Sequence, residues 1–98
     1  MSDFFVMVAL YAKEGREAEL RDSLTALVGP SRRDPGNLRY ELFGQQDDPR
    51  RFVFVEHWAS AEARDKHHTQ AAHIVDFHGT GVDAVERTDV AWFLDRIE

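Results

Sequence analysis

Apolar segments along the chain predict an alternation of strands and helices. Residues 4–12 form a continuous apolar run rich in aromatic and β-branched side chains, which is typical of a strand covered on both faces. From Arg16 onward the period changes to that of an amphipathic helix. Its apolar stripe consists of Leu20, Leu24, Leu27 and Val28. Gly29 and Pro30 are expected to end or kink this helix, unless Pro30 opens a further helical turn.

The middle of the chain predicts a hairpin, and the rest predicts a helical region and a closing strand. Residues 38–43 and 52–58 alternate as strands do, and turn-forming residues at 47–50 separate them. Ser60 is a good N-cap for a helix over 61–68. A second helical stretch follows and is weakened by two glycines. Its apolar residues are Ile74, Phe77, Val82 and Val85, and residues 90–97 form the last strand.

This β-α-β-β-α-β order predicts an α+β fold of the ferredoxin-like type. In that fold, a four-stranded antiparallel sheet carries its helices on one face. The strands of this chain are apolar on both faces, so the other face of the sheet also needs a cover. A second copy of the chain is the simplest cover, and we expect a homodimer formed sheet to sheet. A length of 98 residues suits a single domain over 1–98.

Composition disfavours or excludes several classes of protein. The chain has 12 basic and 18 acidic residues, and its formal net charge of −6 disfavours nucleic acid as a partner. It has no cysteine, which excludes disulfides and thiolate ligands. The run at 4–12 is the longest strongly apolar one, whereas a membrane helix needs about twenty residues. Because the chain shows no convincing signal peptide, we expect a cytoplasmic protein without membrane contact.

Several motifs together resemble the antibiotic biosynthesis monooxygenase family, in particular its quinol monooxygenase-like members. They span most of the chain in the order of the family. The motifs are Gly36, Arg39-Tyr40-Glu41, Asp48-Pro49, residues 52–56, Trp58 and the histidine-bearing helix that follows. The resemblance implies ferredoxin-like subunits that associate into a dimeric α/β barrel. It also implies cofactor-independent oxidation of a quinol, or of a polycyclic anthrone-like phenol, by O₂.

The histidines are the candidates for acid–base chemistry. The family pattern implies a helix histidine nine residues after Trp58, which is His67, although a shift of one residue assigns the role to His68. It implies another histidine a few residues later, which matches His73. On the predicted helix, His67 shares a face with the small, apolar Ala63 and is expected to turn toward the sheet, with His68 leaning toward solvent or the interface. We therefore expect His67 to be the general base.

Glu56 is a second candidate for proton transfer. It shares a strand face with Phe54 and Trp58, an apolar setting that can raise the pKa of a carboxyl group. The alternative role for Glu56 is a structural ion pair with Arg39 or Arg96. The candidate substrate-binding residues are Trp58, Tyr11, Tyr40, Phe43 and His68.

No cofactor and no metal are expected. The chain has neither a glycine-rich phosphate loop nor a cysteine ligand. His68, His73 and His78 are spaced five residues apart, about 140° around a helix, which is poor geometry for shared metal ligation. Two other functions stay open. One is an isomerase of a small oxygenated metabolite, which would use the same base and need cations at the pocket mouth. The other is a non-catalytic stress-response dimer that binds a small aromatic compound.

Overall fold

A computed structural model describes residues 3–98 and confirms the α+β, ferredoxin-like fold. The strands are β1 (Phe4–Ala12), β2 (Asn37–Gln45), β3 (Asp48–Trp58) and β4 (Val85–Leu94). The helices are α1 (Glu17–Arg32), α2 (Ala61–Gln70) and α3 (Ala72–Gly79), and a 3-10 turn spans Gly81–Ala84. The strands form one antiparallel sheet in the order β2-β3-β1-β4.

One face of the sheet packs against the helices and forms the core. Along β1, Val6 and Leu10 point to this side, and along β3 Phe52 and Phe54 do the same, because side chains alternate between the two faces of a strand. The other buried members of this core are Ala12, Leu20, Leu24, Leu27, Tyr40, Trp58, Ile74 and Ala84. The leucines of α1 are those of the predicted apolar stripe, so the helical period correctly identified the packed face.

The opposite face of the sheet, called the open face here, is also apolar. Strand register aligns Met7 of β1 with Val55 of β3 and with Trp92 of β4. Other open-face residues are Phe5, Phe43, Val53, Val90 and Leu94. Phe43 and Trp92 are 48% and 52% exposed within a single chain. Contiguous exposed apolar surface of this kind commonly marks an interaction site.

The hairpin between β2 and β3 turns earlier than the sequence predicted. Gln45 pairs with Asp48, so the turn falls at Gln46 and Asp47 rather than at 47–50. The Asp48 carboxylate accepts a hydrogen bond from the backbone N–H of Arg50. Of the residues predicted to form the turn, only Asp47 lies in it. The other three form an irregular start of β3, because a side-chain bond to the backbone competes with the strand ladder.

The last strand begins at Val85, five residues before the expected start at 90, and it ends at Leu94 rather than 97. Val85 was expected on the preceding helix. Polar residues follow Val85, and for this reason the sequence did not indicate a strand there. β4 pairs only with β1, so it lies at the edge of the sheet. Polar side chains are tolerated there because an edge strand is less enclosed, and Arg87 pairs across the sheet with Tyr11.

Helix α1 continues through Pro30 to Arg32, beyond the break expected at Gly29-Pro30. Leu27 and Ser31 are both buried on its packed side, and this tertiary packing outweighs the backbone hydrogen bond that a proline removes. Helix α2 also runs slightly past its predicted end, to Gln70. Within residues 3–98, no helix combines the length and apolarity needed to cross a membrane.

Gly36 allows β2 and α2 to approach each other closely. Its φ is +83°, and a Cβ built on it would lie 2.6 Å from the Cβ of Ala63. Its carbonyl oxygen accepts a hydrogen bond from the N–H of Ala59, just before α2. A side chain at position 36 would therefore displace α2, which is the helix that carries His67.

We expect Gly36→Ala to destabilise the fold by more than the cost of a positive φ alone. Gly15→Ala is the matched control, because Gly15 has a φ of +79° but nothing within 4 Å of a built Cβ. Overpacking typically lowers the free energy of unfolding by about 1–3 kcal/mol. We expect Gly36→Ala to lose this much more than Gly15→Ala. Urea unfolding of both variants measures it. Equal losses would contradict the close approach.

Candidate functional site

A cavity of about 300 Å³ lies between the helix-covered face of the sheet and helices α2 and α3. Its walls are mostly apolar and include Leu27, Phe54 and Phe77. The polar and titratable residues that line it are Tyr40, Glu56, Arg64, His67, His68, His78 and Thr88. An apolar cavity with a few convergent polar groups is the usual form of a small-molecule site.

His67 is the buried titratable group that α2 contributes to this cavity. The helix begins after Ser60, whose hydroxyl accepts a hydrogen bond from the N–H of Ala63, and His67 follows four residues later on the same side. The side chain is 5% exposed, and its ring centroid lies 4.7 Å from that of Trp58. The helical period therefore turns His67 inward, whereas His68 is exposed on average but still reaches the cavity wall.

Asp34 orients the His67 ring from the end of α1. His67 Nδ1 lies 2.6 Å from Asp34 Oδ2, and it is the only ring nitrogen of His67 with a hydrogen-bond partner within residues 3–98. With Nδ1–H donated to the carboxylate, Nε2 is the nitrogen available to accept a proton. Backbone bonds hold Asp34 in place, since its N–H donates to Ser31 and its carbonyl accepts from Asn37.

A second histidine supports Asp34 rather than lining the cavity. His73 Nε2 lies 3.0 Å from the Ser31 hydroxyl and 3.6 Å from Asp34 Oδ2. His73 is not one of the described residues that line the cavity. The structure therefore puts His73 behind the Asp34–His67 pair, with Ser31, and not beside the space a substrate would occupy.

The electrostatics of the site keep His67 neutral near pH 7. Burial lowers the pKa of His67 below its ordinary value of 6.5, and the hydrogen bond that His67 donates to Asp34 only partly offsets this. Burial likewise lowers the pKa of His68, with Arg64 adding to the effect. A neutral imidazole whose other nitrogen is held by a carboxylate is the arrangement that general bases use.

Burial disfavours the charged forms of both Glu56 and Tyr40. Burial raises the pKa of Glu56, and a hydrogen bond from Trp58 Nε1 to Oε1, at 2.8 Å, opposes that rise. Burial, with a contribution from Glu56, also raises the pKa of Tyr40, so its hydroxyl stays protonated. Within residues 3–98, Glu56 has no ion pair with Arg39 or Arg96, so the structural ion pair considered above is absent from this chain.

Two of the predicted substrate-binding residues lie on the wrong side of the sheet for this cavity. Tyr11 and Phe43 belong to the open face, because the register pairs them with Arg51 and Val53, whose side chains point away from the helices. The Tyr11 hydroxyl donates to Asp48 Oδ2 at 2.9 Å. Three guanidinium groups also pack within 4.1–4.7 Å of its ring centroid, those of Arg50, Arg51 and Arg87.

The other predicted residues divide between the cavity wall and its support. Tyr40, Glu56 and His68 line the cavity. Trp58 is fully buried behind it, where it contacts His67 and donates to Glu56, so it supports the site without lining it.

Sequence reasoning missed Asp34 and Arg64 as site residues. No local signal connects Asp34 to a histidine 33 positions away. Arg64 could have been found, because it lies three residues before His67 and four before His68 on the same helix.

Asp34, His67 and His73 also form a group that could hold a metal ion, with one ligand-type atom from each lying within 4.8 Å of the others. Two ligands of a tetrahedral zinc ion lie about 3.3 Å apart, given bonds of about 2.0–2.1 Å. The 2.6 Å between Asp34 and His67 is instead a hydrogen-bond distance, and His73 is already bonded to Ser31. We therefore interpret the group as a hydrogen-bonded cluster.

Comparison with known proteins identifies the family. The family model for antibiotic biosynthesis monooxygenase matches residues 3–80, and the chain therefore belongs to that family. It is 33% identical over 69 residues to "Putative monooxygenase YcnE" of Bacillus subtilis (strain 168). The matched region covers 70% of this chain and 72% of that protein. These matches confirm the resemblance found in the sequence.

Solved structures agree with the fold. The structure of PA3566 from Pseudomonas aeruginosa superposes with a TM-score of 0.91 at 26% identity, covering 100% of this chain and 97% of that chain. The structure of SO0527 from Shewanella oneidensis gives a TM-score of 0.89 at 27% identity, covering 97% and 91% respectively.

The pKa of His67 predicts how acid affects stability. Because the folded-state pKa lies below 6.5, the unfolded chain binds more protons, and the free energy of unfolding falls as pH drops below 6.5. We expect His67→Gln to make this fall shallower. Asp34→Asn should make it steeper, because it removes the carboxylate that raises the pKa of His67.

Urea unfolding at pH 8, 7, 6 and 5 measures these slopes for the wild type and both variants. A slope that is the same in all three proteins would show that His67 is not held neutral by burial.

Proposed function

We propose that this protein is a cofactor-independent monooxygenase that oxidises a quinol or a polycyclic, anthrone-like phenol with O₂. The observation that carries the proposal is the Asp34–His67 pair, with a neutral imidazole at the wall of an apolar cavity. A phenol that loses its proton becomes electron-rich enough to reduce O₂ directly. The protein then has to supply a base, hydrogen bonds and a cavity that excludes water.

In the proposed reaction, Nε2 of His67 removes the phenol proton, and Asp34 stabilises the imidazolium through Nδ1–H. The phenolate transfers one electron to O₂, and the resulting radical pair forms a carbon–oxygen bond at a ring carbon that carries a hydrogen. This carbon is para to the phenolate oxygen in an anthrone-like phenol and ortho to it in a quinol. The His67 imidazolium returns its proton to the outer peroxide oxygen, and the O–O bond breaks as the carbon loses its hydrogen as a proton. One oxygen atom stays as the new carbonyl, the other leaves as water, and the ring becomes a quinone.

Tyr40 and Glu56 have supporting roles in this proposal. The protonated Tyr40 hydroxyl is a donor at the cavity wall. Glu56, whose pKa is raised by burial, is the next candidate for a proton acceptor. His73 acts as a positioning residue through Asp34 and Ser31.

An isomerase of a small oxygenated metabolite is the alternative function. Such an enzyme needs a cation near its substrate, and Arg64 on the cavity wall is the observation that favours it. The base would be the same histidine, so only the requirement for O₂ separates the two reactions.

Oxygen uptake tests the proposal directly. The purified full-length protein, dialysed against EDTA, is assayed at an oxygen electrode with hydroquinones, naphthols and anthrones, each with and without a ring carboxylate. We expect uptake with at least one compound, equal before and after dialysis. No uptake across the panel would contradict the monooxygenase, and uptake lost on dialysis and restored by one metal ion would contradict its independence of cofactors.

Substitutions then test the base. His67→Ala should lower kcat/KM by about 10²–10⁴, the usual contribution of a general base. Asp34→Asn should cost about 10–10²-fold, because a hydrogen bond to a charged group contributes about 1.5–3 kcal/mol. In the wild type, kcat/KM should fall only below pH 6.5, as His67 becomes protonated.

His68→Ala is the matched control, since it removes the neighbouring histidine on the same helix, and it should cost much less than His67→Ala. If the order were reversed, His68 would be the base. If neither substitution reduced kcat/KM, the Asp34–His67 pair would not be the proton acceptor.

We also propose that two chains pair through their open faces into a homodimer. The support is the continuous apolar surface around Met7, Val55 and Trp92. Burying it in a partner would remove more than about 1,000 Å² from water, as stable interfaces do. The helix-covered cavity lies on the other side of the sheet, so each chain would keep its own site.

Trp92→Glu should dissociate the homodimer, because it places an unpaired charge in the centre of the interface. Val75→Glu is the matched control, since Val75 is 49% exposed, close to the 52% of Trp92, but lies on α3. Sedimentation at micromolar concentration should give a wild-type dimer, a Val75→Glu dimer and a Trp92→Glu monomer. A folded wild-type monomer would contradict the proposed assembly.

A further inference from the structure

The proposed function leaves one charged group at the site unexplained, the guanidinium of Arg64. Within residues 3–98, its Nε is the only buried side-chain nitrogen or oxygen without a hydrogen-bond partner. No ion pair joins Arg64 to a carboxylate of the described chain. Arg39, by contrast, is paired with Glu41, and Arg51 with Asp89.

An unpaired cation beside an apolar cavity is costly, because desolvating a charge is repaid only by close partners. Arg64 is half-buried, and within the described residues Nε is the only atom of its guanidinium that is both buried and without a partner. Its Cζ lies 5.2 Å from the ring centroid of Phe93, which allows a cation–π contact. The nearby Glu56 is within electrostatic range, but its Oε1 is bonded to Trp58, and no oxygen of Glu56 lies within ion-pair distance of Arg64.

The surroundings of Arg64 match an aromatic anion. Aromatic side chains line the cavity, and guanidinium donors are arranged as a fork that suits a planar carboxylate. Burial lowers the pKa values of the neighbouring His67 and His68, which favours their neutral forms. Arg64 is the only arginine or lysine among the described residues that line the cavity, in a protein whose net charge is −6.

We propose that Arg64 binds the carboxylate of an aromatic substrate and thereby selects phenols that carry an acid group on the ring system. This inference rests on the proposed function and narrows its substrate class to aromatic hydroxy-carboxylates. A carboxylate fits better than the phenol oxygen, because a phenol arrives uncharged and would leave Arg64 unpaired until His67 removed its proton.

Binding without turnover tests the subsite. The probes are 2-naphthoate and its neutral isostere 2-naphthamide, which have no phenol group to oxidise, titrated calorimetrically into the full-length protein at pH 8. We expect the wild type to bind 2-naphthoate about 10–10²-fold more tightly than 2-naphthamide, as a charge-assisted bidentate contact implies. Arg64→Gln should remove this preference, because it should weaken the binding of 2-naphthoate far more than that of 2-naphthamide.

Two further variants keep the test specific. Lys66→Gln removes a positive charge from an exposed position on the same helix and should keep the wild-type preference. Arg64→Lys keeps the positive charge but loses the planar, forked arrangement of guanidinium donors. It should therefore show a reduced preference for 2-naphthoate over 2-naphthamide. Thermal unfolding of each variant confirms that it is folded.

The inference fails if the wild type binds both probes equally or binds neither, if Arg64→Gln retains the preference, or if Lys66→Gln loses it to the same extent. These outcomes are separate from those of the oxygen assay. Uptake of O₂ with neutral phenols and no preference for 2-naphthoate would overturn the subsite alone. A clear preference for 2-naphthoate without any O₂ uptake would overturn the monooxygenase and leave the anion subsite standing.

Discussion

The hydrogen bond between Asp34 and His67 is the contact on which the site depends. It joins the end of α1 to the last turn of α2, two elements separated by a whole hairpin, and it determines which nitrogen of the imidazole carries the proton. Gly36 makes the contact possible, because only a residue without a Cβ lets the chain pass so close to Ala63 on α2. Ser31 and His73 then restrain Asp34 from the other side.

Burial shifts the pKa values of His67, Glu56 and Tyr40 away from their ordinary values. The same loss of water that keeps His67 neutral also favours the protonated forms of Glu56 and Tyr40, because desolvation always disfavours the charged form. Arg64 is the exception, since a guanidinium does not lose its proton in proteins. The cavity therefore combines a neutral base and neutral donors with one permanent cation. That combination suits a substrate that has an anionic group and a proton to lose.

The proposed reaction and the proposed homodimer use opposite faces of the sheet. Residues that alternate along β1 and β3 serve opposite purposes, with Val6 and Phe54 packing under the helices, and Met7 and Val55 on the open face. This alternation explains why neither strand looked amphipathic in the sequence. It also separates the exposed Trp92 from the helix-covered cavity, so the open face can change without altering the groups around His67.

Local pattern in the sequence determined the order of the elements, the packed stripe of α1 and the inward direction of His67, because helical period and capping act over a few residues. Only the tertiary structure decided which strand face each aromatic occupies. Tyr11 and Phe43 were candidates for substrate binding, and both lie on the open face. Strand alternation distinguishes two faces of a strand but does not indicate which one the helices cover. The partners of His67 and Arg64 were also invisible in the sequence. Asp34 meets its histidine through folding over 33 positions, and an unpaired guanidinium is a property of its surroundings rather than of its residue type.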